Sequence, residues 1–535
     1  MWHQTRFGLP RAPSCQTSLN RCNRRQKKHV FLPTADLFYS GEFMSELKTE
    51  TSFIPTGTRI NAPPARNTRH DNLLRSQQAS LQALLIRLHF YIGLFVGPFI
   101  FIAALTGTLY VLTPQIEAKL YSHQLLTNTA GAPRSLSQQI EAATHTLGDK
   151  AQQARLVAVR PASAAGQTTR VMYALPSLGP SESFAVFVDP VSLDIRGTLT
   201  VYGTSGILPF RTTLDYLHRN LLLGDIGRHY SELAASWLWI AALGGLYIWV
   251  STRKNHPQLR RRPTAGRPSP VRQRQLLRNN HALTGLLLLI GLLFFSATGL
   301  TWSRWAGDNI TQLRTVMGWL TPSVNTKLNS VTAAPASPPV EHPMISMPMV
   351  PTGATPQTFD QVLTVARNAG IDARKIEIRP AANPQRAWTV SEIDRAWPTQ
   401  VDAVAVDPTT LSVIDKVNFS DYPLAAKLTR WGIDAHMGIL FGLPNQIVLA
   451  AFGVGLCSLI IWGYRMWWTR RPTLAATRHP AQTLTTTFLQ LNGQYRLLVL
   501  VMASALAISL PVMGVSLVLF LLLDIWRWSR QRQTA

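Results

Sequence analysis

Five histidines sit at the edges of apolar runs. His89 opens LHFYIGLFVGPFIFIAALTGTLYVL (88–112), and His281 opens NHALTGLLLLIGLLFFSATGLTWS (280–303). His218, His229 and His436 lie at or just before the starts of two further apolar stretches. Neutral imidazole is a common metal ligand, and ionisable residues in membrane helices are functional by default. A single histidine at a rim has a blander use, capping a helix or meeting lipid headgroups. Two imidazoles brought to one depth would be a ligand pair, so the elements that carry them decide the matter.

Several windows exceed the ~18 apolar residues that cross a ~30 Å hydrocarbon core. The chain reads as a polytopic α-helical membrane protein with about six spans. The expected organisation runs as a cytoplasmic, partly disordered tail (1–83), TM1 (84–113), a first soluble domain (114–228) and TM2 (229–252). A basic loop (253–279), TM3 (280–303), a second soluble domain (304–435) with a Pro-rich linker (331–351), and an interfacial helix with TM4 (436–469) follow. A loop (470–496), a C-terminal hairpin of two short spans (497–528) broken at Pro511 and Gly514, and a short tail (529–535) complete it. Residues 251–280 hold nine Arg and Lys and no acid, which puts that loop in the cytoplasm by the positive-inside rule. Both termini then lie inside and both soluble domains face the periplasm. The net charge of +25 clusters beside the spans and so argues against a nucleic-acid partner and for membrane lipids. Three cysteines, Cys15, Cys22 and Cys457, rule out a disulfide framework. Residues 1–43 lack a signal-peptide core and read as a disordered tail or an over-extended start.

The spans repeat. With His89 laid on His281, Gly93-Leu94 falls on Gly285-Leu286 and Thr106-Gly107 on Thr298-Gly299 without a gap. With His218 laid on His436, Gly224 falls on Gly442, Gly245 on Gly463, Trp249 on Trp467 and Asp189-Pro190 on Asp407-Pro408. Span–domain–span therefore occurs twice in the same orientation. Ile447 takes the place of His229, which has no repeat partner. The repeated glycines Gly107, Gly245, Gly299 and Gly463 allow close helix packing or clear room for a flat group. Each soluble domain opens with a helical stretch, 135–148 or 358–370. Alternating segments follow, RVMYALP and FAVFVDP in one, KIEIRP, RAWTVSEI and VDAVAVDP in the other. They read as half-buried strands with a hairpin turning at Asp-Pro, giving a small α+β unit.

A helix followed by strands ending in V-D-P resembles the PepSY domain. The His-x3-Gly-Leu spans, the Leu-His segments with Gly six residues on, and the Gly…Trp exits followed by Arg resemble the PepSY-associated transmembrane helix family, over roughly residues 84–472. The two soluble units are then PepSY-like periplasmic domains. The resemblance implies an inner-membrane ferrisiderophore reductase or iron-regulated membrane protein, with haem b held by span histidines. Haem iron takes an imidazole on each face. His89 and His281 suit one haem near the cytoplasmic face, with Arg87 and Arg278 beside them for the propionates. His436 with either His218 or His229 suits a second near the periplasmic face.

No Walker A sequence, dinucleotide fingerprint or His-Glu-x-x-His is present. Electrons would come from a quinol or a separate cytoplasmic donor and pass to a periplasmic ferric chelate, a ferric siderophore. No catalytic residue is assigned. The rival readings are a siderophore or solute permease in which the histidines gate, and a non-catalytic membrane protein whose PepSY-like domains bind or regulate a partner.

Overall fold

The computed structural model describes residues 68–255, 270–328, 355–469 and 483–533. The expected N-terminal tail up to residue 67 with Cys15 and Cys22, the centre of the basic loop, the linker 331–351 and Arg470, Arg471 and Arg478 lie outside the described residues. Five helices are long and apolar enough to cross a membrane: Gln77–Val111, Gly224–Arg253, Val271–Thr301, Gly442–Thr469 and Pro511–Arg530. A shorter apolar helix, Gly493–Ser509, precedes the fifth and packs against it. Pro511 restarts the helix after Leu510, and a Cβ on Gly514 would sit 2.8 Å from the Ala507 carbonyl oxygen, so the two helices meet closely at a sharp break.

The first span is not uniformly α-helical. Residues Ile92–Val96 form a π-turn, with the Gly97 N–H bonded to the Ile92 carbonyl. Pro98 has no N–H to offer the Leu94 carbonyl in the α pattern. Tyr464 on the fourth span supplies a donor instead, its hydroxyl 2.7 Å from the Leu94 oxygen. A break that would orphan a carbonyl in lipid is satisfied by a neighbouring helix.

The soluble segments build one sheet. Strands β1 (Arg155–Arg160), β2 (Thr169–Ala174), β3 (Glu182–Val188) and β4 (Ile195–Tyr202) come from the first segment, β5 (Ile376–Arg379), β6 (Trp388–Glu392), β7 (Ala403–Val406) and β8 (Val413–Val417) from the second. All pairs are antiparallel, in the order β4-β3-β2-β1-β5-β6-β7-β8. The halves meet where Val159 pairs with Ile378. This palindromic order is what a local two-fold between duplicated units produces. Sequence patterning predicts two units; their two edge strands close on each other, which removes two unpaired edges. Both Asp-Pro turns stand where expected, between β3 and β4 and between β7 and β8.

Helices Leu136–His145 and Pro356–Asn368 cover one face, with Ile140, Val159, Val186, Phe359, Ile378 and Val404 in a common core. Asp360 of the second helix accepts from the backbone N–H groups of Leu136 (2.7 Å) and Ser137 (3.0 Å), capping the first. Across the seam the buried Arg160 donates to Glu377 at 2.6 Å. The half-buried expectation fails for β3. Val186 and Val188 face the helices while Ala185 and Phe187 pack under Leu208, so both faces are covered.

Short helices carry the chain from the sheet back to the bundle. Pro209–Asn220 follows β4 and leads to the second span; Leu424–His436 follows β8 and leads to the fourth. Each ends with a histidine in its last turn.

Candidate functional site: two facing histidine pairs

His89 and His281 come together from the first and third spans, their ring centres 6.3 Å apart. His218 and His436 come together from the two connecting helices, 6.5 Å apart. Each pair joins one residue from each half of the duplication. A first-row metal binds imidazole nitrogen at about 2 Å, and the ring centre lies roughly 1 Å behind it, so two imidazoles on opposite faces of one iron have centres about 6 Å apart.

Every Nδ1 is held. His89 Nδ1 lies 3.1 Å from the Ala241 carbonyl oxygen and His281 Nδ1 2.9 Å from that of Leu459. A carbonyl can only accept, so both Nδ1 atoms carry the proton. In the other pair the partners are hydroxyls. Thr106 lies 3.1 Å from His218 Nδ1, and Thr298 lies 2.6 Å from His436 Nδ1. Thr106 spends its one proton on the Ile102 carbonyl at 2.7 Å, and Thr298 on that of Phe294 at 2.8 Å. Each hydroxyl must therefore accept from the imidazole. All four rings are the Nδ1–H tautomer, with the Nε2 lone pair free. This is the outer-shell arrangement that orients metal-bound histidine.

The supporting atoms obey the repeat. Ala241 and Leu459 are equivalent under the alignment of the second and fourth spans, Thr106 and Thr298 under that of the first and third. The threonines are visible in sequence as part of a matched Thr-Gly; their bond to the connecting-helix histidines is not. Glycines clear the rings. A Cβ on Gly107 would lie 3.0 Å from His218 Cε1, one on Gly245 3.2 Å from His89 Cε1, and one on Gly463 3.6 Å from His281 Cε1. Gly299 instead faces Ala235 at 3.3 Å. The walls around His436 are aromatic, with Phe295 at 4.9 Å and Trp302 at 5.8 Å between ring centres. Burial holds His218 and His436 below the ordinary imidazole range, His436 down to about 3 with His218 as a second cause. Both are neutral at physiological pH.

His229 stands elsewhere. Leu221 and Leu222 take left-handed backbone (φ 54° and 60°), the connecting helix stops at Asn220, and a new helix starts at Gly224. His229 is exposed, with Nδ1 3.0 Å from the Ile226 carbonyl oxygen and Nε2 accepting from Trp305 Nε1 at 3.3 Å. The ring facing His436 belongs to His218. Arg87 and Arg278 are half-buried on the same helices as His89 and His281 and form no ion pair among the described residues.

Seventeen residues separate His89 from Thr106, and seventeen separate His281 from Thr298. At 1.5 Å per residue the two pairs stand roughly 25 Å apart along the same two spans. The model of the PepSY-associated TM region matches residues 86–470, from the first histidine span through the fourth. The chain belongs to the PepSY-associated TM family. A search among curated proteins finds no match to it. Family membership makes it a multi-pass membrane protein, and all four paired histidines of this PepSY-associated chain fall inside the matched region.

The histidine pairs fit a porphyrin iron. Each offers two protein ligands, the right number for a metal that brings its own equatorial donors. The spacing, the free Nε2 lone pairs and the glycine clearance agree with that ligand set.

Proposed function

We propose that the chain is a di-haem b-type reductase of the bacterial inner membrane. It passes electrons from a quinol or a separate cytoplasmic donor to a periplasmic ferric chelate, a ferrisiderophore, in iron acquisition. His89 and His281 would hold one haem b, and His218 and His436 the other. The observation that carries this reading is the pair of facing imidazole sets, at 6.3 and 6.5 Å, near opposite ends of the same spans.

Bound haem supplies a reversible one-electron carrier, which the side chains lining these spans do not. The chain's own contribution is positional. Ala241 and Leu459 hold the tautomer of one pair, Thr106 and Thr298 that of the other. Phe294, Phe295 and Trp302 keep water from the His436 ring. Two sites roughly 25 Å apart divide a ~30 Å hydrocarbon crossing that one site could not span. The eight-stranded sheet, joined to the second pair through the connecting helices, is the natural place for a bulky chelate to dock. Reduction to Fe(II) loosens an oxygen-rich chelate, because the softer ion holds hard oxygen donors less well.

The test is haem stoichiometry on the purified full-length chain. Two haems per polypeptide by pyridine haemochrome, with a reducible b-type spectrum reoxidised by a ferric chelate, are expected. A preparation that stays colourless after haem supplementation overturns the reading.

A further inference from the structure

Arg160 and Arg211 are the two buried arginines among the described residues. Arg160 is paired with Glu377; Arg211 has no carboxylate within 4.0 Å. Its guanidinium stacks 4.5 Å over the Tyr110 ring, and its one hydrogen bond is a long one, 3.5 Å to the Met437 carbonyl. Arg211 Nε and the Tyr110 hydroxyl are both buried without a hydrogen-bond partner. Two acids reach this region without forming an ion pair with the Arg211 side chain. Glu117 accepts the backbone N–H of Arg211 rather than its side chain, and Asp215 forms no ion pair. Burial raises the pKa of both, and the nearby Arg211 guanidinium offsets part of that rise. A guanidinium stays charged, and a buried charge without an ion pair is destabilising. A buried guanidinium without an ion pair, set against a phenol hydroxyl, suits an acceptor bearing negative charge.

The location narrows what that acceptor is. Arg211 lies seven residues before His218 on the same helix, two turns along the same face and roughly 10 Å away. Tyr110 lies one turn beyond Thr106, the residue that holds the His218 ring. Met437 follows His436 directly. The donors thus sit at the sheet-side margin of the second histidine pair. The repeat does not duplicate them: Thr429 and Trp302 stand at the equivalent positions. In that half Arg430 and Arg395 both pair with Asp434, so each guanidinium there has a carboxylate partner.

We infer that Arg211 and Tyr110 form a carboxylate-binding site at the margin of the His218–His436 pair. The inference rests on the haem reading for its preferred source, a haem propionate; a carboxylate of the ferric chelate has the same chemistry. One oxygen would take the guanidinium and the other the phenol, a charge-assisted arrangement.

The experiment uses the full chain carrying His89→Ala, which leaves the sheet-side pair as the one ligand set, reconstituted with haem b or with its dimethyl ester. The parent should bind the free acid at least about tenfold more tightly than the ester. Arg211→Gln should abolish that preference, Arg211→Lys should restore part of it, and Tyr110→Phe should reduce it without altering folding. In haem-free protein Arg211→Gln should leave the melting temperature unchanged or raise it, because it removes an unpaired buried charge; a fall there marks a structural role and counts against the site. If acid and ester bind equally well to the parent, but ferric citrate binding weakens in Arg211→Gln, the carboxylate comes from the chelate. If neither preference nor citrate binding responds to Arg211 or Tyr110 while haem still binds, the inference fails alone. A chain that takes up no haem of either kind, and whose citrate binding ignores Arg211, overturns both this inference and the reading beneath it.

Discussion

Thr298 accepts the Nδ1 proton of His436 at 2.6 Å across 138 residues of chain. The same bond joins Thr106 to His218 at 3.1 Å. Each threonine passes its own proton back to a carbonyl in its span, so a span residue dictates the tautomer of a histidine on a connecting helix.

Thr298→Val keeps the shape and removes the acceptor. The His436 ring then loses the partner that fixes its tautomer. Loss of an outer-shell partner of this kind costs about 10–100-fold in metal affinity, so haem retention at the sheet-side pair should fall by that order while the other pair keeps its haem. Thr298→Ser should behave as the parent. Titration of haem into the haem-free variants measures both. Equal retention in Val and Ser variants would show that the hydroxyl has no such role.

The duplication made most of this site legible in the sequence. His89 and His281 align without a gap, and so do His218 and His436, because a repeat preserves the spacing of what each half must supply. Pairing across the repeat is less visible, since sequence spacing says nothing about which helix ends up opposite. His229 illustrates this. Eleven residues of uninterrupted helix would have carried it deeper than His218, but the left-handed turn at Leu221–Leu222 breaks the helix and sends His229 to an exposed face. The fused sheet was hidden for the same reason. Val159 and Ile378 lie in different segments, and an alternating pattern records which face of a strand is buried, not which edge it will find. Arg211 was hidden because its isolation is a property of neighbours that the fold supplies.

His89→Ala and His281→Ala should each remove the same haem, taking the content from two per chain towards one. Ligands that act as one unit are non-additive, so the double variant should lose no more than either single. The sheet-side haem should stay, since His218 and His436 hang on other elements. Reduction of that remaining haem by a cytoplasmic-side donor should become slow in inverted vesicles. Two haems with unchanged spectra in both single variants would reduce these residues to rim histidines.

The glycines near the rings should not be equivalent. A methyl group at Gly107 would lie 3.0 Å from His218 Cε1, tighter than ordinary contact, whereas one at Gly463 would lie 3.6 Å from His281 Cε1. Gly107→Ala should therefore push the His218 ring and lower haem occupancy at the sheet-side pair. Gly463→Ala should be tolerated at the other. Optical spectra of the two variants, compared with the single-pair chains, separate the sites. The opposite ranking would mean that clearance around the rings does not govern occupancy.

The last expectation concerns pH and the haem-free chain. His436 lies on a connecting helix outside the spans, and burial, with neighbouring His218 as a second cause, holds it at about 3 against an ordinary 6.5. His218 is shifted in the same direction by burial. As pH falls below 6.5 the unfolded chain takes up protons that the folded chain refuses, so the unfolded state binds more protons and folding stability declines. Above 6.5 both states are neutral at these sites and the contribution is flat. Haem-free protein in detergent should thus lose melting temperature between pH 7.5 and 5, with carboxylates adding their own share at the acid end. His436→Asn should show a shallower decline over that window, because one of the two refused protons is gone. The difference between the two slopes isolates the histidine from the acids. Parallel slopes would mean that the His436 ring takes a proton in the folded chain as readily as in the unfolded one, and that its surroundings are wetter than the aromatic wall of Phe294, Phe295 and Trp302 implies.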